Sequence, residues 1–146
     1  MVPVHNPPYP NPPRLLLVDD EEDTCTVMKW GLQQRGYDVD AFSDPLFALQ
    51  NFRPYKYDLV LIDVRMPVMD GLEFYRNIKE IQHDVKVVFM TAASDSNEEF
   101  VTKRLPGDKR VCVAIKPIRI EELVLLLTAE IEATSINSSH TQTDSA

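Results

Sequence analysis

Four short apolar runs, each closed by a polar residue, set the frame of the chain. Leu15-Leu16-Leu17-Val18 runs into Asp19-Asp20-Glu21, and Leu59-Val60-Leu61-Ile62 ends at Asp63. Val85 to Met90 reaches Thr91, and Val111 to Ile115 reaches Lys116-Pro117. Brief, β-branched, nearly uninterrupted runs read as strands buried on both faces, as in a parallel sheet covered by helices. A fifth stretch, Tyr37 to Phe42, alternates Tyr37, Val39 and Ala41 with Asp38 and Asp40. That pattern predicts a strand open on one face, near a sheet edge.

Helical patterns fill the gaps. Glu22 to Arg35 predicts a helix with Val27, Met28, Trp30, Gly31 and Leu32 supplying apolar contacts, and Gly36 suits its end. Ser43 is the expected N-cap of a helix over about Asp44 to Phe52, with Pro45 in its first turn. Pro67 and Gly71 mark a loop after Asp63, and a third helix is expected from Leu72 to Gln82. Ser94 to Ser96 can cap a short helix to about Arg104, which Pro106-Gly107 ends. The last helix is expected from Arg119 to Ala133. Strand and helix alternating five times imply a doubly wound α/β domain with right-handed crossovers.

The ends differ in kind. Residues 1–13 hold six prolines and read as an extended lead-in; residues 134–146 are Ser/Thr-rich and read as a disordered tail. Residues 14–133 are the expected domain, with no second domain in either tail. A net charge of -8 argues against a nucleic-acid surface, which needs a basic stripe. No run approaches the roughly 18 apolar residues of a membrane span, and no signal peptide is evident, so the cytoplasm is the expected location. Cys25 and Cys112 are too few for a disulfide framework and lie in apolar-periodic segments, so both are expected as buried free thiols.

In parallel α/β sheets, ligands bind beyond the carboxyl ends of the strands. The runs above would therefore gather Asp19, Asp20, Asp63, Thr91 and Lys116 at one edge. An aspartate carboxylate can attack phosphorus. A cluster of carboxylates stays ionised best around a hard cation, for which Mg²⁺ is the natural choice. An ammonium from Lys116 and a hydroxyl from Thr91 would stabilise charge on a transferring phosphoryl group. Taken singly, each residue has a plainer reading: an acidic pair at a helix start, a capping threonine, a solvated lysine.

Taken together, Asp19-Asp20, Asp63 with Met66-Pro67 and Asp70-Gly71, Thr91 and Lys116-Pro117 resemble the receiver domains of two-component response regulators over about residues 14–133. The resemblance implies a flavodoxin-like, CheY-like sheet of strand order 2-1-3-4-5. It implies phosphorylation of Asp63 by a sensor histidine kinase or a phosphotransfer protein. It further implies Mg²⁺ held by Asp20, Asp63 and the backbone carbonyl of Arg65, with Asp19 acting largely through water, and a cis Lys116-Pro117 bond.

The match also departs from the family. Val113 stands where receivers usually carry an aromatic, and the Thr91-to-Lys116 segment is longer than usual. Arg65 and Ala93 occupy positions that tune phosphoryl lifetime in the family. The alternative is a phosphatase of the haloacid-dehalogenase type, but that family needs a second acid two residues after the nucleophile, where this chain has Arg65. The expected output is a stand-alone regulator acting through an unidentified protein partner. In the last helix Leu123, Val124, Leu127 and Ile131 make a core-facing stripe. Leu125 and Leu126 fall off it, which suggests a homodimer or partner contact through that helix.

Overall fold

The computed structural model describes residues 11–92 and 108–145, with side chains described as far as 133. The expected helix over Ser94 to Arg104, and Ala93, lie outside the described residues, as does most of the Pro-rich lead-in. The elements are β1 (Arg14–Val18), α1 (Glu22–Gln33), β2 (Asp38–Phe42), α2 (Pro45–Asn51), β3 (Leu59–Asp63), α3 (Gly71–Ile81), β4 (Val87–Ala92), β5 (Val111–Lys116) and a C-terminal helix α4 (Ile120–Ser145). The five strands form one parallel sheet in the order β2-β1-β3-β4-β5. This places β2 at an edge, as its alternating pattern predicts.

Period-two alternation splits each central strand between two cores. Leu16, Val18, Val60, Ile62, Val87 and Phe89 face α2 and α3, where Ala48, Leu72, Tyr75 and Ile78 meet them. Leu15, Leu17, Leu59, Leu61, Val88 and Met90 face α1 and α4, against Leu32, Leu123, Leu127 and Ile131. All five residues of β3 are buried, which explains its unbroken apolar run.

Three local expectations are corrected. The cap of α2 is Asp44, whose carboxylate accepts the Leu46 N–H at 2.9 Å, and not Ser43. Pro45 disfavours helical geometry in the residue before it, so Asp44 is held extended in the capping position. On α1, Val27 and Trp30 point to solvent, 69% and 63% exposed. The buried stripe runs instead through Cys25 and Leu32, with Met28 half-buried between them. Finally, α4 continues as helix past Ala133 to Ser145. No Gly or Pro lies in this stretch to stop it.

Candidate functional site

Strand register assembles the site. Val18 pairs with Ile62, Asp63 with Met90, Thr91 with Ile115 and Ala92 with Lys116. In-register parallel strands therefore deliver the residue after β1 and the ends of β3, β4 and β5 to one edge. Asp19 is fully buried, Asp63 nearly so, and Asp20 half-buried. The three carboxylates can each offer an oxygen, all within 4.8 Å of one another.

Lys116 closes the cluster. Its ammonium donates to Asp19 Oδ2 at 3.0 Å and to Asp63 Oδ2 at 3.1 Å. The Lys116–Pro117 peptide bond is cis. Burial would lower the lysine pKa, but the hydrogen bond it donates to Asp19 and the charges of Asp63 and Asp19 outweigh it and hold the ammonium above its ordinary value. For Asp63 burial wins: its pKa is raised despite the neighbouring Lys116 and the Arg65 amide. The Lys116 ammonium and the Asp63 carboxylate are in contact at 3.1 Å.

The remaining contacts fix orientation. The Glu21 N–H donates to Asp19 Oδ1 at 3.0 Å, and the Arg65 N–H reaches Asp63 Oδ1 at 3.3 Å. Thr91 is buried, and its hydroxyl has no hydrogen-bond partner among the described residues. A buried hydroxyl left unpaired costs about 1–3 kcal/mol. The contact that Arg65 makes here is from its amide to Asp63, whereas the expected metal contact is through its carbonyl.

Two features escaped the sequence reading. Cys25, on the first turns of α1, lies beneath the site and donates its thiol to the Asp19 carbonyl at 3.0 Å. Burial is the main cause of its pKa rising to about 11, which keeps it a thiol and not a nucleophile. Beside Lys116 opens a largely apolar cleft of about 630 Å³, lined by Glu21, Thr24, Met28, Ala92, Lys116, Pro117 and Ile118. Only Met28 on a half-buried helical face hinted at it.

A donor set of three carboxylates, all hard oxygen ligands, fits Mg²⁺. Residues 15–128 match the family model of the response regulator receiver domain, and the chain belongs to that family. It is 32% identical over 111 residues to the transcriptional regulatory protein PcoR of Escherichia coli, covering 76% of this chain and 48% of that protein. It is 35% identical over 125 residues to the transcriptional regulatory protein ZraR of Klebsiella oxytoca, covering 86% of this chain and 28% of that one. This chain thus spans about half or less of the length of these relatives. Among solved structures it is similar to the non-phosphorylated HemR receiver domain of Leptospira biflexa. The TM-score is 0.70 at 29% identity, over 82% of this chain and 94% of that one.

Proposed function

We propose that this receiver domain of a two-component system takes a phosphoryl group onto Asp63 from the phosphohistidine of a sensor histidine kinase or a phosphotransfer protein, in a Mg²⁺-dependent step in the cytoplasm. The observation that carries the reading is the convergence on Asp63. A buried carboxylate at a strand end is touched by Lys116, grouped with Asp19 and Asp20, and neighboured by the Thr91 hydroxyl, which has no partner among the described residues.

In the proposed step an Asp63 carboxylate oxygen attacks phosphorus. The P–N bond of the donor breaks, and its electron pair returns to the imidazole nitrogen. Lys116, already bridging Asp19 and Asp63, meets the negative charge of the incoming group, and Thr91 donates to another phosphoryl oxygen. Asp19, Asp20 and Asp63, with the Arg65 carbonyl, are the residues that would hold Mg²⁺. When bound, the ion neutralises charge shared between carboxylates and phosphoryl oxygens. Slow attack of water on the acyl phosphate would return the free carboxylate.

Incubation with acetyl phosphate and Mg²⁺ should add one phosphoryl group by mass spectrometry, and Asp63→Asn should abolish it. Labelling that persists in the asparagine chain would refute the assignment.

The proposed output is protein contact. Leu123, Leu127 and Ile131 of α4 are buried, whereas Leu125 is 73% exposed and Leu126 packs partly against the core. Self-association through this helix should be weakened by Leu125→Glu in sedimentation, with Asp63 phosphorylation unchanged. A wild-type chain that stays monomeric at high concentration would count against it.

A further inference from the structure

The loop after Asp63 is closed in an unusual way. The Val64 N–H donates to the Met90 carbonyl at 2.9 Å, which ties the front of the loop to β4. The Gly71 N–H donates to the Val64 carbonyl at 2.9 Å, which closes the loop on itself. Between them the Met69 N–H reaches the Pro67 carbonyl at 2.8 Å across Val68, whose φ is 73°. A three-residue turn of positive φ is rare and strained, the more so for a β-branched residue. Val68 gains nothing from packing, being 83% exposed, while Met66 and Met69 on either side are buried.

Gly71 carries the tightest approach. It opens α3 and has no positive φ, so backbone freedom is not what requires a glycine. Space is. A Cβ at this position would stand 2.5 Å from the Asp63 carbonyl oxygen and 3.0 Å from Val64 Cα. Both are backbone atoms and cannot swing aside as a side chain does. At that distance a methyl group fits only if the start of α3 draws back from the end of β3. The Asp63 carboxylate and the Arg65 amide that donates to it sit on that junction.

We infer that Gly71 is a positioning residue for the phosphoacceptor site: its bare backbone, seated on the Asp63 carbonyl, sets where Asp63 and Arg65 stand relative to Asp19, Asp20 and Lys116 on the neighbouring strands. The inference rests on the metal-assisted reading of the site above. Misplacement by about an ångström can cost roughly a hundredfold in rate, and loss of an outer support about 10–100-fold in metal affinity.

The test follows Mg²⁺ titrations by backbone amide shifts in the full chain, beside thermal melts without Mg²⁺. Alanine is the better helix former, so only the contact opposes Gly71→Ala. That variant should bind Mg²⁺ about tenfold or more weakly. Val68→Gly relieves the turn without touching the contact, and should raise the melting temperature by about 3 °C with Mg²⁺ affinity unchanged. Wild-type affinity in Gly71→Ala overturns the inference while leaving the site's function intact. A wild-type chain that binds no Mg²⁺ overturns both. Val68→Gly answers even if the alanine chain does not fold: affinity that falls tenfold on freeing the turn would place positioning in the loop at large and refute the role of Gly71.

Discussion

The two ends of the sheet treat their polar groups differently. At the amino-terminal end the buried and half-buried groups are paired. Tyr75 donates to Asp108 at 2.6 Å, and the same carboxylate takes Lys79 at 3.2 Å and the Arg110 amide at 3.0 Å. Lys86 meets Glu130 at 2.9 Å, and Tyr57 donates to Asp40 at 2.7 Å. The hydrogen bond from Tyr75, with those from the Arg110 amide and Lys79, brings Asp108 below its ordinary pKa against the opposing effect of burial. At the carboxyl-terminal end three carboxylates crowd one ammonium, the Thr91 hydroxyl has no partner among the described residues and Val68 is strained. One end spends its polar groups on holding α3 and α4 to the sheet. The other keeps strained and crowded groups of the kind that cluster at functional sites, which is what the proposed reaction requires.

Substitutions should separate the two ends. The largest effect belongs to Lys116→Ala, which removes the cation proposed to face the incoming phosphoryl group. Phosphorylation of Asp63 should slow by about a hundredfold or more in acetyl phosphate time courses. A rate within a few-fold of wild type would remove Lys116 from the reaction. Thr91→Val should slow the same reaction on the order of tenfold, the worth of one hydrogen bond. The same change should raise stability by about 1 kcal/mol in urea, because valine fills the space without an unpaired hydroxyl. Loss of stability instead would mean that Thr91 is satisfied in solution, and the contrast between the ends would fail there.

Tyr75→Phe should behave in the opposite sense. It should cost about 1 kcal/mol of stability and leave phosphorylation unchanged, since the lost bond lies at the holding end. A slowed reaction would show that the ends are coupled through α3.

The smallest effect is a pH dependence. Burial raises the pKa of Asp63, so the folded chain favours the protonated carboxyl over the ionised one. The stability this group contributes is present at low pH and is lost as pH rises through the carboxylate range. In metal-free buffer Asp63→Asn should therefore melt a few degrees above wild type at pH 7, and the gap should close towards about pH 4. A gap that widens on acidification would mean that the bond to Lys116, and not burial, governs the group.

Much of this was legible in residue order. Apolar runs end where strands end, so β1, β3, β4 and β5 were readable with their closing residues, and Asp19, Asp20, Asp63, Thr91 and Lys116 stood out at the ends of those runs. The apolar stripe of Leu123, Leu127 and Ile131 was likewise readable, because helical periodicity is a local property. Where the reading failed, the deciding contact was non-local or sterically subtle. Composition made Trp30 and Val27 core candidates, yet the face of α1 that meets the sheet is the one through Cys25 and Leu32. Ser43 and Asp44 are both good caps, and the restriction imposed by Pro45 chose between them.

The sequence by itself determined which segments are strands and helices and which reactive side chains stand at their ends, since both follow from periodicity along the chain. Tertiary structure alone decided the rest. Parallel register brought residues 97 positions apart, Asp19 and Lys116, to 3.0 Å. Packing left Thr91 without a partner among the described residues and seated Gly71 on the carbonyl of Asp63. Such distances are set by how neighbouring strands and helices stack, and no pattern within one segment records the separation between two.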